Sequence, residues 1–136
     1  MSERTVEGAC MCGAVRVLVR GEPFGAPYCH CKDCRKATGA PVSLLVGYEE
    51  EQVQIEGTAL QFYESSPGVH RSFCGRCGTS ISYQDGRLPG EIYIHVGVLD
   101  DPASFEPTVH SWHSQRLDYM SIVDDLPRHR ESSRPR

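Results

Sequence analysis

The sequence predicts a small all-β domain: an antiparallel sheet protein that binds zinc through its thiols and carries one short helix. Three observations carry that prediction. Apolar residues alternate with a period of two over short stretches, turn-forming clusters separate those stretches, and seven cysteines fall into three tight groups.

Taken along the chain, Val15, Val17 and Val19 line one face of a first strand, and Gly21-Glu22-Pro23 turns the chain after it. The stretch "YCHCKDCRK", Tyr28 to Lys36, then brings Cys29, Cys31 and Cys34 together. A short helix is expected from Asp33 through Thr38, with Gly39 placed to end it and the last thiol of the motif riding on it. Val53 with Ile55, Ile81 with Tyr83, and Ile92 with Ile94 and Val96 repeat the strand period. Turns between them come from Ser65-Ser66-Pro67-Gly68, from Asp85-Gly86 with Pro89-Gly90, and from Asp100-Asp101-Pro102. From Arg128 the run RHRESSRPR mixes like charges, serine and proline and reads as a disordered tail. The expected division is therefore a single zinc-binding domain over residues 1–127 and a tail over 128–136.

A chain of 136 residues is sized for one modest core. Its 14 Lys+Arg against 18 Asp+Glu leave a formal charge of −4, which argues against nucleic acid or anionic lipid as a partner of the whole molecule. No apolar run reaches the roughly 20 residues of a membrane-spanning helix, and the opening MSERTVEG lacks the apolar core of a signal peptide. A cytoplasmic location follows as the expectation. In that reducing compartment, seven thiols point to metal or redox chemistry rather than structural disulfides.

Zinc takes four protein ligands in a closed structural site and three in an open catalytic one, so seven thiols divide naturally into four plus three. Cys29, Cys31 and Cys34 are the better candidates for the open site, because a single loop can surround one face of a metal. Cys10 with Cys12 and Cys74 with Cys77 would then clamp the other metal, with Gly13 and Gly78 relieving the tight turns after them. Spacing leaves other partitions open. One of His30, His70, His95, His110, His113 or His129 could complete the second site and make it structural too. His30 is the least able to do so, since its side chain should point away from a metal held by both neighbours, while His110 and His113 beside Trp112 read first as packing or surface residues.

The order C-x-C-G, then C-H-C-x-x-C-R-K-x-x-G, then F-C-x-x-C-G resembles the glutathione-dependent formaldehyde-activating enzymes and the related centromere protein V group. The resemblance continues through "VGVLDDP" from Val96, "PTVHSW" from Pro107 and "DDLP" from Asp124, and so runs from about Gly8 to Leu126. It implies a fold of the β-tent type and two zinc ions per chain. Cys10, Cys12, Cys74 and Cys77 match the family's structural zinc ligands, and Cys29, Cys31 and Cys34 match its catalytic set. The implied activity is condensation of formaldehyde with glutathione to S-hydroxymethylglutathione, a carbon–sulfur lyase reaction, with glutathione or another small thiol as partner. The segment "HSQRLDYMSI" from His113 departs from relatives, which carry a tryptophan near Tyr119.

Zinc bound by three thiolates carries a net negative charge and is a weak Lewis acid, better suited to holding a substrate thiol as thiolate than to ionising water. Lys32, Arg35, Lys36, Arg71 and Arg76 lie near thiols in sequence and could meet the carboxylates of glutathione. Arg35, directly after Cys34 at the expected start of the helix, is the preferred residue for that contact. Two other functions stay open: a noncatalytic, zinc-stabilised glutathione carrier or protein-interaction module, and a redox sensor that releases zinc as its thiols oxidise.

Overall fold

A computed structural model describes residues 4–134. β1 (Thr5–Ala9) and β2 (Arg16–Arg20) form an antiparallel hairpin with Val6 opposite Val19 and Gly8 opposite Val17, and β5 (Val53–Glu56) adds to β2 as the third strand of a small sheet. The other strands are β3 (Pro27–Cys29), β4 (Ser43–Glu49), β6 (Leu60–Ser66), β7 (Val69–Cys74), β8 (Ser80–Asp85), β9 (Glu91–His95) and β10 (Val109–Ser111). They make a seven-stranded sheet in the order β10-β3-β4-β9-β8-β7-β6, antiparallel throughout except where β10 runs parallel to β3.

Side chains on a strand alternate between its two faces, and here each face of the large sheet serves a different purpose. Val46 and Tyr48 of β4, Ile92 and Ile94 of β9, and Ile81 of β8 pack with Val17 and Val19 of the small sheet, and with Val15 just before it, to form the main core. Val15, Val19, Val46, Ile81 and Ile94 are fully buried, each worth about 1.5–3 kcal/mol relative to exposure. On the opposite face Leu45 and Tyr93, the intervening residues of β4 and β9, join Leu88, Cys29 and Cys34 in a second cluster. That second face carries the candidate site.

The fold class is as expected, and the strands anticipated from alternation are present, with two changes at their ends. Val15 precedes β2, and Val96 leaves β9 to begin a 3₁₀ turn (Val96–Val98). Helix α1 (Lys32–Thr38) begins one residue before Asp33. The Cys31 sulfur caps its first turn by accepting from the Cys34 N–H at 3.2 Å, and Gly39 ends it in the left-handed region at φ 74°.

The C-terminal stretch differs from the expected disordered tail. The His110 N–H donates to Pro127 O at 2.7 Å, the His129 N–H to His110 O at 2.8 Å, the Trp112 N–H to Glu131 O at 2.7 Å and the His113 N–H to His129 O at 2.8 Å. Residues 127–134 are thus laid along the outer edge of β10, with Arg128 in a parallel bridge to His110. The physical reason is the unpaired backbone of that edge, which composition does not register. Pro135 and Arg136 lie outside the described residues. Among the described residues no helix is long and apolar enough to cross a membrane.

Candidate functional site

All seven cysteines are free thiols, and the fold collects them into two groups whose ligand atoms lie within 4.8 Å of one another. Cys10 and Cys12 come from the β1–β2 turn, and Cys74 and Cys77 from the β7–β8 turn. Gly13 and Gly78 both take φ 82°, a conformation that folds each turn back on its sulfurs. The Val15 N–H donates to the Cys10 sulfur at 3.2 Å and the Arg76 N–H to that of Cys74 at 3.4 Å. Thr79 Oγ1 ties the turns together, accepting from the Met11 N–H at 3.1 Å and lying 3.1 Å from the Cys77 sulfur. The sulfurs of Cys10 and Cys12 are 3.6 Å apart and those of Cys12 and Cys74 3.8 Å. Zn–S bonds of about 2.3 Å in a tetrahedron put sulfurs about 3.8 Å apart, so four thiols at this spacing fit a closed zinc site.

Cys29 at the end of β3, Cys31 as the helix cap and Cys34 inside α1 form the second group, with the first two sulfurs 3.5 Å apart. The donor set and the spacing again suit zinc, with three ligands instead of four. Cys31 is held well below the ordinary thiol range by hydrogen bonds from the Cys29 and Cys34 thiols and from the Cys34 N–H. Cys29 is pushed up by the same sharing with Cys31 and Cys34 and then by burial. The group therefore favours one thiolate and resists more, and a bound cation would relieve that resistance. Arg71 supplies part of the positive charge: its Nη1 lies 3.7 Å from the Cys34 sulfur, while its Nε donates to Ser65 Oγ at 3.1 Å and its guanidinium sits 4.9 Å from the Tyr83 ring centre.

These three thiols line a cavity of about 290 Å³, near the lower end of the range for small-molecule sites. Leu45, Leu88, Tyr83, Tyr93 and Trp112 give it apolar walls. Its charged lining is Lys32, Arg71, Arg87 and Arg134 against Asp33 as the one acid among the described residues. Arg87 is held by the buried Asp85 through two contacts of 3.0 Å, and Arg134 is held by Glu91 at 2.7 Å.

Behind the thiol loop is a buried polar chain. His30 Nε2 is 2.8 Å from His110 Nδ1, and His110 Nε2 is 3.0 Å from Asp124 Oδ2. The carboxylate can only accept, so His110 donates to it from Nε2 and accepts at Nδ1 from the His30 Nε2–H, which leaves His30 Nδ1 as a buried lone pair without a partner among the described residues. Burial first, and then the neighbouring His110 and His113, hold the His30 ring neutral down to about pH 4. The hydrogen bond from His110 brings the Asp124 carboxyl down to about 2. Ring nitrogens of His30, His110 and His113 lie close enough together to hold a metal. The first two rings, however, are 19° from coplanar with centres 5.1 Å apart, so they meet nearly end to end along their hydrogen bond, with those nitrogens already engaged.

Of the cations singled out in the sequence, Lys32 and Arg71 reach the cavity. Arg35 does not line it. Its Nη1 donates to His30 O at 2.7 Å and Gln115 O at 2.6 Å, bracing the thiol loop against the segment after β10. Arg76 sits at the four-thiol turns. Arg87 and Arg134 were missed, because neither lies near a cysteine in sequence and only the tertiary fold brings them to the cavity.

A family model described as glutathione-dependent formaldehyde-activating enzyme matches residues 5–115. A Halomonas elongata protein named for glutathione-dependent formaldehyde activation is 28% identical over 127 residues, covering 86% of this chain and 80% of its own. A Schizosaccharomyces pombe protein described as an uncharacterized lyase is 31% identical over 85 residues, 61% of each chain. A crystal structure of a Rhodobacter sphaeroides protein superposes with a TM-score of 0.59 at 26% identity, covering 69% of this chain and 87% of that one.

Proposed function

The chain belongs to the glutathione-dependent formaldehyde-activating enzyme family, and from that premise we propose that it is a zinc-dependent carbon–sulfur lyase acting on adducts of glutathione, or a similar thiol, with formaldehyde or a related aldehyde. The relatives' names support a role connected with glutathione, formaldehyde and lyase chemistry. The observation that carries the reading is the opening of three convergent thiols onto a cavity lined, among the described residues, by four cations and one acid. An anionic thiol fits there by charge, with its sulfur toward Cys29, Cys31 and Cys34 and its carboxylates toward the cations.

In this reading Cys29, Cys31 and Cys34 hold a catalytic zinc, and Cys10, Cys12, Cys74 and Cys77 a structural one. The catalytic zinc would supply the charge that keeps a substrate thiol deprotonated. The chain's own residues do the rest. Arg71, beside Cys34, offsets the negative charge of the thiol group. The Tyr83 hydroxyl donates to Asp85 at 2.9 Å and the Tyr93 hydroxyl to Glu91 at 2.7 Å, which fixes both rings as walls that keep bulk water from the reacting sulfur. In the condensation, the sulfur forms a bond to the aldehyde carbon as the carbonyl π bond breaks, and the thiol proton ends on the new hydroxyl. The lyase direction reverses each change.

Native mass spectrometry of reduced protein, kept from chelators and supplied with zinc, tests the proposal. Two zinc ions per chain and one added glutathione, together with formation of the thiol–formaldehyde adduct above its uncatalysed rate, are expected. Zinc-replete protein that neither takes up glutathione nor accelerates adduct formation or breakdown would sink it.

A further inference from the structure

We propose that residues 127–134 are a specificity-determining strap over the thiol cavity, and that Arg134 is the residue on it that selects a thiol carrying a carboxylate. The inference rests on the thiol-binding reading above and adds the class of thiol and the element that chooses it. The strap is a built feature. It is bonded to β10 and the two residues after it through the four backbone hydrogen bonds already described. Arg128 pins its start, donating to Ile122 O at 3.0 Å, to Leu126 O at 2.7 Å and to the Asp124 carboxylate at 2.9 Å. Further on, the Ser133 N–H donates to Ser111 Oγ at 3.0 Å.

From the outer edge of β10 the strap sends the Arg134 side chain to β9, where it grips Glu91 with Nε at 3.3 Å and Nη2 at 2.7 Å. The same guanidinium lies 4.8 Å from the ring centre of Phe24, so its position is fixed from two sides. Ser132, Ser133 and Arg134 thereby become one wall of the cavity whose other walls include Cys29, Cys31 and Cys34. The fork to Glu91 uses Nε and Nη2, and the guanidinium also bonds to the Tyr93 side chain, so it is held at the cavity wall where a ligand carboxylate would meet it. The family model matches residues 5–115, and this wall lies beyond the matched stretch.

Trp112 gives the test a direct readout. It is the only tryptophan in the chain, it lines the cavity, and its backbone is bonded to the strap at Glu131. The zinc-loaded full chain would be titrated with glutathione and with glutathione diethyl ester, which keeps the thiol but masks both carboxylates, while Trp112 emission is followed. Arg134→Met retains the aliphatic stem on Phe24, and Arg134→Gln replaces it if the circular dichroism is not that of the wild type. The variant is expected to weaken glutathione about tenfold or more and to leave the ester within about twofold, with Arg134→Lys restoring most of the preference. Equal shifts for both compounds, or none, overturn the proposal. If the wild type binds neither compound, the glutathione reading falls by itself, and the strap is judged by quenching of Trp112. Loss of Arg134 must then lower quenching by iodide about twofold or more while neutral acrylamide is unaffected. Unchanged iodide quenching overturns the strap proposal on its own.

Discussion

The two thiol groups use the same side chain in opposite ways. Cys10 and Cys74 belong to the main core, between the two sheets, and their partners Cys12 and Cys77 complete a ring that joins turns far apart in sequence. Cys29, Cys31 and Cys34 come from one loop on the other face of the large sheet and open onto a cavity. The first group has four sulfurs and closes long-range connections; the second has three and a cationic approach. Ligand number and placement relative to the core, rather than the thiols themselves, separate a group suited to holding the fold from one suited to chemistry.

That contrast breaks most visibly at Cys74. Cys74→Ser removes a fully buried sulfur from the group that ties β1–β2 to β7–β8, where the apparent binding free energy of a structural zinc can reach about 10–16 kcal/mol. The expected outcome is loss of cooperative thermal unfolding and of soluble protein. Cys31→Ala should instead keep the melting temperature within about 5 °C of wild type, lower bound zinc by one ion per chain, and cut thiol-dependent turnover by about 10³-fold or more. Calorimetry and zinc analysis on the two variants decide the matter. If both lose stability equally, the division into a structural and a chemical group is wrong.

The spatial grouping of the thiols was legible because both motifs place ligands a few residues apart on turns closed by glycine, which is local information. The strands with strict alternation were legible for the same reason. β4 was not, because Ser43–Glu49 sends Leu45 to the cavity face and Val46 and Tyr48 to the core, so both sides are apolar and the period vanishes. β3 and β10 have three residues each, too few to show a period. Arg35 was chosen by its nearness to Cys34 in sequence, yet a helix turns its side chain toward the Gln115 carbonyl instead of the cavity. Arg134, by contrast, meets Glu91 across 43 residues of chain, a contact that exists only once the strap is laid along β10.

A smaller effect sharpens the cavity side of the comparison. Gly47 on β4 has Phe24 lying directly on it, and a Cβ there would stand 2.6 Å from Phe24 Cζ and 3.0 Å from Tyr93 Cε2. Phe24 packs edge-on against Tyr93 with ring centres 5.6 Å apart and carries Arg134 on its face. Gly47→Ala is expected to cost about 1–2 kcal/mol, toward the low end for overpacking because the ring can swing outward. The melting temperature should fall by roughly 3–8 °C, and the four-thiol zinc should be retained. Loss of that zinc in the variant would mean that the two faces of the sheet are not independent.

The smallest effect is a titration on the cavity face. His95, which pairs across the sheet with Leu45 and is 9% exposed, is brought from an ordinary 6.5 down to about 4, by burial first and then by the nearby Arg71 cation. The unfolded chain takes up a proton at this histidine below about pH 6.5, whereas the folded chain stays neutral until about pH 4. Unfolding therefore binds a proton in that window. The His95 contribution is constant above it and declines as pH falls through it. Acid also protonates the thiols and releases metal, but that loss is common to wild type and a His95→Gln variant. The difference between their urea midpoints at pH 7.5 and at 5.5 isolates the histidine. Wild type should lose more of its midpoint than His95→Gln between the two pH values; equal losses would mean that His95 takes up its proton as readily in the folded protein as in the unfolded chain.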